Sequence, residues 1–410
     1  MMNEVARRLR FARESAGLSQ QAVADAIEVT RTAITQMEAA NRSVSTLELT
    51  RLAALYRRPV TWFLNEDSDS KEEDVLVALH RIDADFAQDP NVREQVERCL
   101  TLCREGLSLE KLLGQDSRSG PPSYEMHVPR NAGEAVSQGE QIAEGERRRL
   151  NIGSSPIADI SELISTQGIW ASGTSLPNQM SGLFLHRPSV GLAILVNATH
   201  PRARKRFSYA HEYAHALLDR NHGIKVSTSQ NSVDLVEKRA NAFAAAFLMP
   251  RNGVYELLRS LDKGLPSRQE QSIFDVASGD VIETELRSPP RSQQIIYKDV
   301  AMVAHHFGVS YQAAAYRLKS LRHISQPETQ ELLKQEQFGR RYLDVLNLIS
   351  MDEPDAEENW DRELRIEVLN LAIEAYRREE ISRGRLLELG KALSISSDTL
   401  LELGEAARGE

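Results

Sequence analysis

The segment His211-Glu212-Tyr213-Ala214-His215 constrains this chain more than any other part of its sequence. Two histidines four residues apart share one face of a helix, and imidazoles placed in this way bind one Zn²⁺ at about 2.0–2.1 Å each. Glu212 would then lie beside the ion, where a carboxylate takes a proton from the attacking water and passes it to the leaving amine. The pattern therefore predicts a helix over residues 203–220 and a catalytic zinc site.

A catalytic zinc site needs a third protein ligand, together with an open position for water. A helix predicted over residues 232–248 offers Glu237, because the chain between it and His215 is long enough for a loop and a returning helix. Asn241 lies one turn further along the same face and is placed to orient a ligand histidine through its free ring N–H. Spacing alone leaves three other candidates for the third ligand: Asp234, Asp219 and His222.

The five-residue pattern also arises by chance, and the histidines would then be an ordinary structural pair. The apolar flanks argue against that interpretation, since they give the segment a buried helical face. These flanks are Ala210, Ala214, Leu217 and Leu218. The residue that would stabilise the oxyanion is not evident, because His222, Tyr209 and Tyr213 are near in sequence but each is better interpreted as structural.

Two longer segments carry a resemblance to a known family. They are FSYAHEYAHALLDR at residues 207–220 and EKRANAFAAAFLMP at residues 237–250. Upstream, residues 181–185 and 194–197 match as well. Over about residues 135–255 the chain resembles the ImmA/IrrE family of bacterial metallopeptidases.

This resemblance implies that Glu237 is the third zinc ligand and that the domain has an α+β zincin-like fold of the gluzincin type. It also implies an edge strand near residues 181–186, which would bind an extended peptide by strand addition. Members of the family cleave repressor proteins and thereby derepress stress-response or mobile-element genes. The motif residues are all present in this chain, so we expect an active enzyme.

Residues 18–38 predict two short helices around a turn, with Ser19 and Thr30 as N-caps. The small core between the helices is formed by Ala24, Ile27, Val29 and Ile34. Over about residues 3–64 the chain resembles the XRE/Cro-type helix-turn-helix domain, which implies that the second helix enters a DNA major groove. The predicted DNA-contacting residues are Gln20, Thr30, Arg31, Thr32, Thr35 and Gln36, with arginine suited to guanine and glutamine to adenine.

One residue departs from the usual helix-turn-helix pattern. Glu28 occupies the turn position where such domains usually have glycine, and a positive φ there would cost a glutamate about 1 kcal/mol. Residues 1–65 hold nine Lys or Arg and six Asp or Glu, a net charge of +3 (9 − 6), on a chain whose net charge is −9. We therefore expect modest, salt-sensitive DNA affinity, with a domain used only for protein pairing as the alternative.

The C-terminal part of the chain is predicted to be almost wholly helical. Residues 299–318 form a helix, a Gly-Val-Ser turn and a second helix, which resembles a further helix-turn-helix. It would either bind DNA or pack against the peptidase domain, and packing is the favoured interpretation. A fainter version of the pattern runs from Ser382 to Leu403, with a role in sensing or partner contact.

These patterns predict a multidomain, mainly α chain. Its parts are an all-α helix-turn-helix domain (1–65), a helical linker region (66–132), an α+β zincin-like peptidase domain (133–260), a connector read as a loop (261–294), a helix-turn-helix-like subdomain (295–350) and a C-terminal helical subdomain (351–410). The beginning of the chain shows no apolar signal core, and no apolar run approaches the ~18–20 residues that span a bilayer. Together with only two cysteines, Cys99 and Cys103, this predicts a cytoplasmic protein.

The combined prediction is a DNA-binding transcriptional regulator with zinc-dependent endopeptidase activity, which cleaves a repressor protein or itself. Its partners would be double-stranded DNA and the protein substrate, and helix-turn-helix domains of this kind usually bind as dimers. The alternative is a repressor or antitoxin-like regulator whose zinc domain senses a ligand or partner without proteolysis. Glu212 favours the first prediction, because a structural zinc site needs no base and is usually closed by four protein ligands.

Overall fold

The computed structural model describes residues 2–16, 18–56, 60, 63, 90–115, 120–220, 224–228, 234–264, 268–274, 281–287, 289, 291–348 and 361–409. The chain divides into two compact units, residues 1–88 and residues 89–410. Within the described part of the chain, no helix is long and apolar enough to cross a bilayer.

In the described residues of the first unit, four short helices surround one apolar core. They are α1 (Met2–Ser15), α2 (Gln20–Ala26), α3 (Arg31–Glu38) and α4 (Thr46–Leu55). Hydroxyl side chains define where α2 and α3 begin: Ser19 Oγ accepts from Ala22 N–H and Thr30 Oγ1 from Ala33 N–H. Such caps satisfy backbone donors that a helix leaves free at its first turn. Both predicted N-caps are therefore present.

The core of this unit includes three of the four residues expected between α2 and α3. Ala24, Ile27 and Ile34 are buried, and Val29 packs against them while partly exposed. Glu28, in the turn, has a φ of 60°. The backbone therefore adopts the left-handed conformation that the turn was expected to need, with a residue other than glycine.

A four-stranded sheet lies at the centre of the second unit. Its strands are β1 (Trp170–Thr174), β2 (Met180–Arg187), β3 (Gly191–Asn197) and β4 (Ile224–Thr228), in the order β1-β3-β2-β4. β1 runs parallel to β3, and β2 runs antiparallel to both β3 and β4. The expected edge strand near residues 181–186 is therefore wrong. β4, which no sequence pattern predicted, pairs with β2 and takes the edge position among the described strands.

Six helices precede, interrupt or follow this sheet. They are α5 (Pro90–Leu112), α6 (Ala132–Arg149), α7 (Ile160–Ser165), α8 (Arg202–Leu218), α9 (Leu235–Leu248) and α10 (Arg251–Ser260). α8 packs on β2, β3 and α9, and α9 packs on α6. The backbones of α6 and α9 approach closely at Gly139, where a Cβ atom would lie 2.4 Å from Arg239 O. Glycine is therefore required at this crossing.

Residues 261–294, expected as a loop, contain two further strands. β5 (Arg268–Phe274) and β6 (Val281–Arg287) pair antiparallel as a two-stranded sheet, from Phe274 opposite Val281 to Arg268 opposite Arg287. The richness of the segment in Gly, Pro, Ser and charge hid the two short runs that form these strands. The expectation of a loop is wrong over these strands.

In the described residues that follow, the second unit has seven more helices. They are α11 (Tyr297–Phe307), α12 (Tyr311–Ser320), α13 (Gln326–Lys334), α14 (Glu336–Val345), α15 (Arg362–Arg377), α16 (Arg383–Leu393) and α17 (Ser397–Arg408). Apolar residues of α11–α14 belong to the same buried cluster as those of the sheet, α8 and α9. α15 packs instead on α5 and β1. The chain is thus mainly α and multidomain, as predicted.

Candidate functional site

The helix that carries the histidine motif is buried on nearly all sides. Every residue from Ser208 to Leu217 is buried, including the polar ones His211, Glu212 and His215. A helix that is buried all round needs partners for its polar groups, because an unsatisfied polar group in the interior costs about 1–3 kcal/mol. The surroundings of these three side chains therefore decide what the helix can do.

Three side chains from α8 and α9 converge on one point. His211 Nε2 lies 3.0 Å from Glu237 Oε2, His215 Nε2 lies 3.5 Å from Glu237 Oε1, and the two Nε2 atoms are 3.3 Å apart. Tetrahedral ligands bound to zinc at about 2.0–2.1 Å are separated by about 3.3 Å. Within the described residues, this is the one group of at least three His, Cys, Asp or Glu side chains close enough to hold a metal ion.

Hydrogen bonds on the far side of each imidazole determine which nitrogen faces this point. His211 Nδ1 lies 2.9 Å from Asn241 Oδ1, and His215 Nδ1 lies 2.8 Å from Asp219 Oδ2. Both Nδ1 atoms therefore donate, which leaves both Nε2 atoms facing the Glu237 carboxylate, as N–H donors when protonated and as lone-pair donors to an ion when not. Three electron-pair donors meeting in a buried space fit a cation, and two imidazoles with one carboxylate are a typical catalytic zinc set.

The electrostatics of the site also favour positive charge at this point. Burial lowers the pKa of His215, but its hydrogen bonds to Asp219 and Glu237 and the nearby charge of Glu212 outweigh burial and raise the pKa to about 9. Burial raises the pKa of Glu237, yet hydrogen bonds from His211 and His215 hold it well below its usual range. The carboxylate therefore stays ionised, as a metal ligand must be.

The side chain of Glu212 extends from α8 toward the inner strand β2. Its side chain is fully buried, and its Oε1 and Cγ atoms lie 3.0 and 3.1 Å from where a Cβ atom of Gly182 would be. The glycine thus leaves room on β2 for a carboxylate that follows the first histidine of the motif. A buried acid beside a metal site is suited to act as a general base and then as a general acid.

The structure assigns other partners to two of the three rivals to Glu237. Asp219 is bonded to the outer nitrogen of His215 and points away from the ligand triangle. Asp234 caps α9, because its Oδ1 accepts from Val236 N–H. His222 lies outside the described residues. The two tyrosines considered for the oxyanion are both buried, and Tyr213 donates its hydroxyl hydrogen to Glu146 Oε1 at 2.5 Å.

Sequence reasoning missed the group of residues behind His215. Asp219 Oδ1 accepts from Arg239 Nη2 at 2.8 Å, and Arg239 Nη1 lies 3.4 Å from Gln138 Oε1. The i,i+4 spacing of His215 and Asp219 on one helix was a usable signal for their contact. Nothing in the local pattern pointed to Arg239 or Gln138, since the first contact depends on the approach of α8 and α9 and the second on the crossing of α6 and α9.

The first unit presents one polar helical face to solvent. Five of the six predicted DNA-contacting residues are exposed: Thr30, Arg31, Thr32, Thr35 and Gln36. Gln20 is different, because its amide donates to Glu38 Oε2 at 2.8 Å and its Oε1 accepts from Thr35 Oγ1 at 3.0 Å. Gln20 is thus engaged within the unit, where it joins the start of α2 to α3.

The helix pair α11–α12 repeats the turn of the first unit but is tied to its neighbours. Gly308 has a φ of 65°, and its carbonyl oxygen accepts from Arg206 Nε of α8 at 3.0 Å. On α12, the buried Arg317 donates to Met249 O at 3.0 Å and to Glu140. These bonds hold the pair against the body that contains the histidine motif, in agreement with the favoured packing interpretation.

No curated protein matches the sequence. The structure of Bacillus thuringiensis PlcR in complex with the peptide PapR7 and DNA aligns with 93% of this chain and 99% of its own, at 10% identity and a TM-score of 0.18. A TM-score at that level does not indicate a common overall fold.

Two family models match separate parts of the chain. Residues 4–61 match a helix-turn-helix domain, and residues 165–265 match the IrrE N-terminal-like domain of a peptidase family. The second match contains the histidine motif, β2–β4 and Glu237. The chain is therefore a fusion of an N-terminal XRE-type helix-turn-helix domain with an IrrE-like, metallopeptidase-like domain.

Proposed function

We propose that this protein is a DNA-binding transcriptional regulator with zinc-dependent endopeptidase activity, which cleaves a repressor protein or itself. The observation that carries the proposal is the buried convergence of His211 Nε2, His215 Nε2 and the Glu237 carboxylate beside the buried Glu212. The IrrE-like domain match supports the same chemistry. Such a regulator would act in the cytoplasm on stress-response or mobile-element genes.

In this proposal His211, His215 and Glu237 would hold one zinc ion. The ion would supply a Lewis acid that makes water a nucleophile near neutral pH. Glu212 takes the proton of the attacking water as a C–O bond forms at the scissile carbonyl. Glu212 then delivers that proton to the nitrogen as the C–N bond breaks. Asn241 orients His211 through its Nδ1–H group.

The fold offers a place for an extended substrate. β4 is the edge strand of the sheet, next to the strand that carries Gly182 and faces Glu212. An edge strand has backbone donors and acceptors on its outer side, and a peptide that adds there forms main-chain hydrogen bonds. We propose that the substrate binds along β4, in place of the strand near residues 181–186 that was expected.

The catalytic part of the proposal is tested with Glu212→Gln. Zinc-loaded protein is incubated with purified repressors encoded by neighbouring genes, and alone, and cleavage products are sequenced. We expect one zinc per chain in both forms and loss of cleavage in the variant by at least about 10²-fold, the usual contribution of a general base.

The matched control is Glu256→Gln, a change of the same chemistry on α10. Glu256 accepts from Ser154 Oγ far along the chain from the motif, and the change should leave cleavage unchanged. Cleavage at the wild-type rate by the Glu212→Gln protein would contradict the mechanism. A zinc-loaded wild type that cleaves no repressor and not itself would favour a regulator that senses a ligand or partner without proteolysis.

We further propose that the first unit binds double-stranded DNA as part of a homodimer. The exposed side chains Arg31, Thr32, Thr35 and Gln36 of α3 would contact base edges in the major groove, with Thr30 and Gln20 toward the phosphates. A dimer predicts two half-sites separated by about one helical turn, 10–10.5 base pairs. A footprint with a single half-site would contradict the dimer.

A further inference from the structure

A chain of hydrogen bonds runs outward from His215 through two helices. His215 Nδ1 donates to Asp219 Oδ2 at 2.8 Å, and Asp219 Oδ1 accepts from Arg239 Nη2 at 2.8 Å. Arg239 Nη1 then lies 3.4 Å from Gln138 Oε1. Each carboxylate oxygen of Asp219 thus has its own partner, one a metal-site histidine and the other a guanidinium group.

All four side chains linked by these hydrogen bonds are buried. His215 is 0% exposed, Arg239 3%, Gln138 4% and Asp219 7%. Placing a carboxylate and a guanidinium away from water costs free energy that their mutual contact must offset, so a buried pair is seldom explained by stability alone. The position of this pair points to a role at the site it touches.

The pair also connects the two helices that supply the ligands. Asp219 is the C-cap of α8, one turn after His215. Arg239 lies on α9, two residues after Glu237. The contact between them therefore fixes the end of one ligand helix to the start of the other. The close crossing at Gly139 brings α6 near enough for Gln138 to reach Arg239.

The two histidines are held in unlike ways. His211 donates to the neutral Asn241, whereas His215 donates to a carboxylate that is itself held by a cation. A hydrogen bond to a charged acceptor is stronger than one to a neutral amide and restricts ring rotation more firmly. The orientation of His215 is therefore defined by residues from both ligand helices.

We propose that Asp219 is the positioning residue that orients His215 for metal binding, and that Arg239 holds Asp219 in place. The proposal rests on the proposed metal site and adds the residues that set its affinity and geometry. The pair acts on the ligand and does not contact the substrate. Loss of a positioning partner of this kind typically weakens metal binding 10- to 100-fold.

The test measures zinc affinity by competition with a chromophoric chelator and coordination geometry by the visible spectrum of the Co²⁺-substituted protein. For Asp219→Asn we expect zinc affinity to fall about 10- to 100-fold and the Co²⁺ bands to shift or broaden. Because this change leaves Arg239 without its carboxylate, a charge-balanced variant, Asp219→Asn with Arg239→Gln, is measured in parallel and should show the same loss. The single variant Arg239→Lys keeps a cation near Asp219, so it should retain most of the wild-type zinc affinity.

The matched control is Arg317→Gln, which removes another buried arginine of the same unit, with bonds to Met249 O and Glu140. It should lower the melting temperature but leave zinc affinity and the Co²⁺ spectrum unchanged. Wild-type affinity and spectrum in both Asp219 variants would overturn the positioning role while leaving the metal site intact. A wild-type chain that binds neither zinc nor Co²⁺ would instead overturn the metal site, and the positioning role with it.

Discussion

The helix pairs α2–α3 and α11–α12 are built on the same turn. Each has a left-handed residue, Glu28 at φ 60° or Gly308 at φ 65°, followed by a valine and then by a hydroxyl N-cap. The caps are Thr30, which accepts from Ala33 N–H, and Ser310, which accepts from Ala313 N–H. At the level of the backbone and its caps, the two pairs are therefore alike.

Their surroundings differ. The outer face of α3 is polar and exposed, whereas Arg317 of α12 is buried against Met249 O and Glu140, and the α11–α12 turn accepts from Arg206. A helix can read DNA only where its outer face is open to a groove. The comparison teaches that a local sequence pattern predicts the helix-turn-helix conformation, while the surrounding packing decides whether it is a DNA interface or a structural joint.

The largest effect is expected from breaking the joint of the second pair. Arg206 donates to Gly308 O at 3.0 Å, Ala158 O at 2.9 Å and Ile157 O at 2.5 Å. Arg206→Ala leaves three carbonyl oxygens without this donor and should destabilise the second unit by about 2–4 kcal/mol. Calorimetric melting of the full chain measures the change, and Arg204→Ala, on the exposed side of the same helix, should stay within about 0.5 kcal/mol.

The first unit should be insensitive to that change. If DNA affinity fell as strongly in Arg206→Ala as stability did, the second pair would be more than a joint. If Arg206→Ala has the wild-type melting temperature, the bonds from Arg206 to the carbonyl oxygens of Gly308, Ala158 and Ile157 contribute nothing to stability. The contrast between the two helix pairs would then fail.

The next largest effect concerns the open face of α3. Arg31→Ala and Gln36→Ala should each relax sequence preference by about 1–3 kcal/mol, or roughly 5- to 150-fold, because each removes a side chain suited to a base edge. Binding is measured by footprinting on an operator selected from random DNA at one fixed salt concentration. The matched change on α12 is Gln312→Ala, which loses an exposed bond to Glu336 and should leave the footprint unchanged. A weaker footprint from Gln312→Ala would contradict the comparison.

The smallest effect concerns the turn residue itself. Glu28→Gly should stabilise the first unit by about 1 kcal/mol, because a residue with a Cβ atom pays a steric cost at positive φ. The opposite exchange, Gly308→Ala, should destabilise the second unit, since a Cβ atom there would lie 2.9 Å from Arg206 Nε. The melting temperatures of the Glu28→Gly and Gly308→Ala proteins test these two expectations. A destabilised Glu28→Gly protein would mean that Glu28 makes a contact that outweighs its backbone cost.

Patterns with a short period were predictable from the sequence. The spacing of His211 and His215 and the caps Ser19 and Thr30 depend on neighbours within about one helical turn. The positive φ at Glu28 was expected from the glycine that helix-turn-helix domains usually have at that position. Glu237 needed more, because spacing left Asp219, Asp234 and His222 open and the family resemblance supplied the choice. Only the folded chain shows Asp219 turned to the outer nitrogen of His215.

Features that depend on strand order or helix crossing were not predictable. β4 lies in a stretch assigned to a loop, and without it β2 was expected at the edge of the sheet. The contact of Arg239 with Asp219 depends on the approach of α8 and α9, which no local period encodes. The strands β5 and β6 were hidden by a composition typical of loops. Pairing between distant segments is the common cause of these errors.

Gly182 has a consequence for related chains. Its hydrogen occupies a space bounded by Glu212 Oε1 and Leu195 O, each 3.0 Å from an added Cβ atom, so even alanine would displace the acid or the strand by a few tenths of an ångström. A chain with alanine there would keep both histidines, the glutamate ligand and Glu212, while the position of the acid or of the strand changed. Under the proposed mechanism an intact metal motif would then not be sufficient for turnover, and the residue at position 182 would have to be inspected as well.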